Sequence, residues 1–254
     1  MAGEGRGMNV LEIRGLVKNF GKLAAVAGVD LGFREGQFTS IIGPNGAGKT
    51  TLFNLVTGRL SPSSGTIHFN GKDITGFTPY QISRLKLSRI FQITNLFPEL
   101  TVYENIKVSI LAKRKETSKI FTLSKNRSPA DEETERVLGI IGLMDKKESL
   151  CGSLSHGDQR LVEVGVALSL DPVLLLLDEP TGGMGPEETD RMVQFIRTLS
   201  EKQKVTILLV EHDMSVVFSV SERIVVMAQG TVIADGNPDE IRKNEKVREA
   251  YLGE

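Results

Sequence analysis

Gly43-Pro44-Asn45-Gly46-Ala47-Gly48-Lys49-Thr50 stands between a short apolar run, Phe38–Ile42, and a segment whose Leu52, Phe53, Leu55 and Val56 recur at helical spacing up to Gly58. The order this predicts is strand, glycine loop, helix. Small residues in such a loop let consecutive backbone N–H groups converge on phosphate oxygens at a helix N-terminus, where the helix dipole also favours an anion. In this pattern Lys49 reaches the terminal phosphates of a nucleotide and the Thr50 hydroxyl ligates Mg²⁺.

Working outward, Leu11–Val17 and Val29–Phe33 read as short strands of a mostly antiparallel sheet, and Thr66–Phe69 followed by Asn70-Gly71 reads as a strand entering a tight turn. Val173–Leu177 and Val205–Val210 are continuous apolar runs, as expected of strands buried on both faces of a parallel sheet. Glu187–Leu199 between them carries Met192, Phe195, Ile196 and Leu199 at helical spacing, which predicts a βαβ crossover. From Gln92 to Ser155 the text changes: Val102–Leu111 is helical, Lys113–Glu135 is charged and turn-rich, and Glu133–Ile141 is helical again. After Ile224–Met227, turns are expected at Gln229-Gly230 and Ala234–Gly236, then a closing helix over Pro238–Leu252. The fold class is therefore α/β: a P-loop NTPase core with a parallel sheet, an N-terminal antiparallel β subdomain and an inserted helical subdomain.

Composition narrows the function classes. Lys plus Arg total 31 and Asp plus Glu 32, a net charge of −1, so bulk attraction to nucleic acid or anionic lipid is excluded and any polyanion must be bound locally. The lone Cys151 excludes an intramolecular disulfide framework and a Cys-based zinc cluster, and points to a reducing compartment. Residues 1–8 read as a flexible leader, and nothing approaches the roughly 18–20 uninterrupted apolar residues of a membrane-spanning helix.

A nucleotide hydrolase also needs a second metal contact and a group that activates water, placed at the C-terminal end of a neighbouring strand. Leu174–Leu177 followed by Asp178-Glu179-Pro180 supplies both: Asp178 for the metal and Glu179 as general base.

The two motifs together resemble those of the ATP-binding cassette (ABC) ATPases, and the resemblance covers nearly the whole chain. It implies a nucleotide-binding set of Phe20, Gly43, Pro44, Asn45, Gly46, Ala47, Gly48, Lys49, Thr50 and Thr51, with Phe20 stacking on adenine. Leu154-Ser155-His156-Gly157-Asp158-Gln159 occupies the place of the family's Leu-Ser-Gly-Gly-Gln signature, departing at His156 and Asp158. There Ser155, His156 and Gly157 are expected to contact the γ-phosphate of nucleotide held by an opposite subunit. Gln92 resembles the glutamine that touches Mg²⁺ and attacking water, and His212, after Glu211, resembles the histidine at the γ-phosphate. The implied metal set is thus Thr50, Gln92 and Asp178, and the catalytic set Glu179, His212 and Gln92. Gly185 stands where the family commonly has an aspartate before a proline, so coupling across a dimer through that carboxylate is not expected.

Within the family the chain looks most like the energising subunits of branched-chain amino acid importers, a group that includes uptake systems for urea and short amides. The insert around Lys113–Glu135, Gly157-Asp158-Gln159-Arg160, Glu211–Met214 and the terminal Tyr251-Leu252-Gly253-Glu254 carry that likeness. The same tetrapeptide resembles cassettes of lipopolysaccharide or lipid exporters, and soluble cassettes acting on ribosomes or DNA form a different class; both stay open at this point. The implied ligands are ATP and Mg²⁺. The implied partners are membrane-spanning permease subunits, a second cassette and an extracytoplasmic substrate-binding protein, with no nucleic acid, at the cytoplasmic face of the cell membrane. The expected division is a core of 9–92 and 158–236, an insert of 93–157 and a C-terminal helical segment of 237–254. Phe97, Leu100 and Val102 are the expected apolar contacts for a partner helix.

Overall fold

The computed structural model describes residues 9–90, 96–116, 128–203 and 205–252. Its first unit comprises the chain up to Arg89, Val173–Glu179 and the chain from Ile196; its second comprises Ile90–Pro172 and Pro180–Phe195.

β1 (Asn9–Phe20) and β2 (Leu23–Arg34) form an antiparallel hairpin, and β1 also pairs with β4 (Ser64–Phe69), itself paired with β5 (Lys72–Asp73). The expected Asn70-Gly71 turn is present, with φ of 49° and 75°, the left-handed pair that a two-residue hairpin loop requires. The larger sheet has the order β10-β9-β3-β8-β7-β6. β3 (Phe38–Ile42) runs parallel to β8 (Thr206–Val210) and β9 (Arg223–Ala228), and β7 (Leu174–Asp178) runs parallel to β8. β6 (Leu87–Ile90) closes one edge and β10 (Thr231–Gly236), antiparallel to β9, closes the other. Every residue of β3, β7 and β8 is buried, which explains why these strands read as apolar runs without alternation. Both sheets contribute to one core, in which Leu11, Phe33, Ile41, Phe53, Leu176 and Leu208 are packed. Each such side chain is worth about 1.5–3 kcal/mol of burial.

The helices are α1 (Lys49–Val56), α2 (Pro79–Ser83), α3 (Val102–Lys113), α4 (Pro129–Ile141), α5 (His156–Leu168), α6 (Pro186–Gln203), α7 (Met214–Val220), α8 (Pro238–Lys243) and α9 (Glu245–Leu252). α6 connects β7 to its parallel neighbour β8, as the spacing predicts. In the second unit α3, α4 and α5 bury Ile106, Ile110, Val137, Leu138 and Val164. Among the described residues no helix is long and apolar enough to cross a membrane.

Four expectations change. α4 begins at Pro129 instead of Glu133, because Ser128 and Asp131 form a reciprocal capping box with Pro129 in the first turn. Ala234–Gly236 is strand and not turn: Asp235 on this edge strand accepts both arms of the Arg223 guanidinium, at 2.7 and 2.5 Å, so its polarity reflects an ion pair. The closing helix is two helices separated at Asn244, whose extended backbone (φ −75°, ψ 119°) ends α8. The expected insert boundary at 157 falls inside α5. That helix lies against α3 and α4, with Gly165 admitting Ile141 and Ile106 side chains, so the second unit runs on to Pro172.

Candidate active site

Three adjacent parallel strands bring the site together. β3, β8 and β7 lie side by side, and their register places Ile41, Val210 and Asp178 in one row across the sheet. Neighbouring strands are about 4.8 Å apart. The segments that leave these strands therefore emerge on the same edge: the Gly43–Thr50 loop after β3, Glu211-His212 after β8 and Asp178-Glu179 at the end of β7.

The loop conformation depends on its glycines. Gly43 and Gly48 have φ of 152° and 103°, and a Cβ on either would overlap a backbone carbonyl, of Met227 and Ala25 respectively. Gly48 is the N-cap of α1 and provides no side-chain cap, so the first-turn N–H groups of α1 are directed at whatever lies beyond the loop. The loop is tied down from outside: the Gly230 N–H donates to the Ala47 carbonyl (3.0 Å), and the Ala27 N–H donates to the Gly230 carbonyl (2.9 Å). Lys49, only 6% exposed, donates to the carbonyls of Gly43 (2.6 Å) and Pro44 (3.0 Å), which holds its ammonium over the loop. Pro44 is half-buried, Asn45, Gly46 and Thr50 are exposed, and Thr51 is half-buried.

At the end of β7, Asp178 is 5% exposed and bonded through Oδ2 to Arg89 (2.6 Å). Arg89 also donates to Asn54 Oδ1 (2.7 Å) and Thr57 Oγ1 (3.3 Å) on and just beyond α1, and its guanidinium lies 5.5 Å from the Phe53 ring centroid. Burial pulls the Arg89 pKa below its usual value, against the bond to Asp178. The next residue after Asp178, Glu179, has φ of 49°, a left-handed conformation rare outside glycine, and its N–H donates to the Val210 carbonyl (2.8 Å). That geometry turns the side chain off the strand, and Glu179 Oε1 lies 2.8 Å from His212 Nε2. An ionised Glu179 requires the tautomer in which Nε2–H donates. The His212 N–H in turn donates to Oε2 of the buried Glu211 (2.9 Å).

The second unit holds the signature segment. Ser155 is the N-cap of α5, its Oγ accepting from the Asp158 N–H (3.2 Å) while donating to Glu188 Oε1 (2.8 Å). The Gly157 N–H donates to the same oxygen (3.3 Å). His156 is exposed. The departure at Asp158 has a structural explanation: its buried carboxylate pairs with Lys146 (2.5 Å) and Arg191 (3.4 Å).

Phe20, 48% exposed at the end of β1, has the Lys18 ammonium 5.3 Å from its ring centroid. Gln92 lies outside the described residues. The structure thus brings the glycine loop, Asp178, Glu179 and His212 to one sheet edge. It adds Arg89 and Glu188, which sequence reasoning missed, since their partners lie 89 and 33 residues away. The one available signal for Arg89 was a cation within the short stretch Leu87–Ile90 that becomes β6.

The sequence pattern of the family described as ABC transporter matches residues 26–182, and the chain belongs to that family. It is an ATP-binding cassette ATPase. The pattern described as branched-chain amino acid ATP-binding cassette transporter matches residues 231–254. Among its relatives is the high-affinity branched-chain amino acid transport ATP-binding protein BraF of Pseudomonas aeruginosa, 40% identical over 253 residues, 96% of this chain and 98% of BraF. The corresponding LivG protein of Escherichia coli is 39% identical over 96% of this chain and 98% of its own length. The crystal structure of the ADP conformation of MJ1267, an ATP-binding cassette of an ABC transporter, superimposes with a TM-score of 0.83. Its sequence identity is 31%, covering 97% of this chain and 100% of that one.

Proposed function

We propose that this cassette hydrolyses ATP to drive an importer of branched-chain or other hydrophobic amino acids, from the cytoplasmic face of the membrane, with permease subunits forming the substrate path. The observation that carries the chemistry is the Glu179 carboxylate, turned out of its strand and 2.8 Å from His212 on the edge that also bears the glycine loop. The substrate class rests on the relatives' names and on the match over 231–254, the segment that left an exporter open.

In this reading the loop N–H groups and Lys49 hold the phosphates, and Phe20 stacks on adenine. Glu179 takes a proton from water as its oxygen bonds to the γ-phosphorus and the bond to ADP breaks, releasing ADP and phosphate. His212 orients that carboxylate. The exposed Thr50 hydroxyl and the Asp178 carboxylate, whose Oδ2 already accepts from Arg89, are oxygen donors of the kind a hard cation takes. Mg²⁺ bound there, with Gln92 as a third oxygen donor, would neutralise phosphate charge. Two cassettes sandwich two nucleotides, each between the loop of one chain and Ser155, His156 and Gly157 of the other. Hydrolysis reopens the pair. The whole of 9–254 acts as one cassette, and the second unit engages the permease. A substrate-binding protein outside the membrane completes the system.

The test is to purify the chain with its membrane partners in lipid and to measure ATP turnover with candidate ligands. Stimulation by leucine, isoleucine or valine is expected. Stimulation by a lipid, or by ribosomes in the absence of membrane partners, would replace the importer reading.

A further inference from the structure

The Ser155 hydroxyl and the Gly157 N–H are the groups assigned above to a phosphate of the partner cassette, and in this chain both are engaged by one oxygen of Glu188. Glu188 sits in the first turn of α6, and its carboxylate also accepts the backbone N–H of Gly185. The Ser155 hydroxyl, more than any other neighbour, holds the Glu188 pKa below the usual carboxylate value, so the group is an anion at neutral pH. The fit is close, for a Cβ on Gly157 would lie 2.8 Å from that same oxygen. A carboxylate oxygen taking a hydroxyl and a helix-start N–H presents the charge and acceptor geometry of a phosphate oxygen.

Resting on the sandwich reading, we infer that Glu188 is an internal stand-in for the incoming γ-phosphate: it occupies the signature donors in the separate cassette and must be displaced for the ATP-bound pair to close. Two anions cannot share the donors, since the Ser155 hydroxyl has a single proton to donate and like charges at contact repel. Glu188 thereby sets the ATP concentration at which closure occurs and keeps the signature donors satisfied until a partner brings its nucleotide.

The experiment uses the full chain carrying Glu179→Gln, so that hydrolysis does not drain the closed pair, and follows dimer formation against ATP concentration by analytical ultracentrifugation. Adding Glu188→Ala should lower the half-maximal ATP concentration about five-fold or more, one exposed charge-assisted hydrogen bond no longer competing. Glu188→Gln keeps the shape and the acceptor without the charge, and should shift it the same way by less. Unchanged or higher ATP requirements in both variants would overturn the inference and make Glu188 a buttress of the loop. A Glu179→Gln parent that stays monomeric at saturating ATP would remove the sandwich itself, and the inference with it.

Discussion

Arg89 and Asp178 form an ion pair at 2.6 Å with side chains only 5% and 6% exposed, and the same guanidinium bonds Asn54 and Thr57. The pair therefore ties the acidic end of β7 to the helix that starts at the glycine loop. Removing one partner of such a pair leaves a buried charge uncompensated, at a cost of about 3–5 kcal/mol.

Arg89→Met should accordingly lower the urea midpoint sharply, while Arg89→Met combined with Asp178→Asn should be less destabilised than the sum of the single changes. Equilibrium unfolding of the four proteins measures this coupling. Strict additivity would mean that the two side chains do not depend on one another.

Glu179→Gln keeps the size of the side chain and its bond to His212, and removes the carboxylate proposed above as the base. Turnover should fall by at least about a hundred-fold, the usual contribution of general base catalysis, with ATP binding retained. Single-turnover hydrolysis and equilibrium binding separate the two effects. Normal turnover in this variant would place the base elsewhere.

Gly46 and Gly48 differ in a way that substitution can read. Gly48→Ala drives a Cβ into the Ala25 carbonyl at φ of 103°, whereas Gly46→Ala meets open space and bears only the strain of φ 77°. Gly48→Ala should therefore abolish nucleotide binding, and Gly46→Ala should cost about 1 kcal/mol, the usual penalty for a left-handed alanine. Isothermal titration with ATP distinguishes them, and equal losses would mean that the steric contact is not the determinant.

The sole cysteine should be chemically quiet. Burial pushes the Cys151 thiol up to about 11 from 9.0, and the residue is 1% exposed. At pH 8 it carries about a hundredfold less thiolate than an ordinary cysteine, so iodoacetamide should label it only after denaturation. The folded chain keeps its thiol proton above the pH at which the unfolded chain has lost it, so this group removes stability as pH rises from about 9 towards 11. Mass spectrometry of native and denatured samples checks the labelling.

What was legible in the sequence is what the chain does locally. The glycine loop, the Asp178-Glu179 strand end and the buried runs of β3, β7 and β8 each announce themselves within about ten residues, because close packing forces their composition. The pairing of Ala234–Gly236 with β9, the Arg223–Asp235 ion pair 12 residues apart, and the Arg89 and Glu188 bonds spanning 89 and 33 residues all lie beyond a local reading, where neither periodicity nor turn chemistry leaves a mark. Nor could spacing tell which apolar residues of the insert face inward.

That last distinction can be tested on the expected partner surface. Val102 is fully buried at the start of α3, so it belongs to the unit's own core, whereas Phe97 is 56% exposed and Leu100 half-buried. The turn that presents Phe97 is held by Asn105, 4% exposed, whose Oδ1 accepts the Phe97 N–H (2.9 Å) and whose Nδ2 donates to the Phe97 (3.0 Å) and Thr101 (2.9 Å) carbonyls. Beside it lies a recess of about 200 Å³ lined by Leu96, Pro98, Cys151, Gly152 and Gln159. An exposed aromatic on a braced turn beside a small recess suits the apolar face of a short partner helix. Phe97→Glu should leave folding and the ATPase activity of the isolated cassette intact while uncoupling uptake in reconstituted vesicles. Val102→Glu should instead unfold the second unit, because it places a charge in an apolar core. Asn105→Ala should loosen the turn and weaken coupling without touching Phe97 itself. Full uptake in the Phe97→Glu variant would show that the permease docks elsewhere on the cassette.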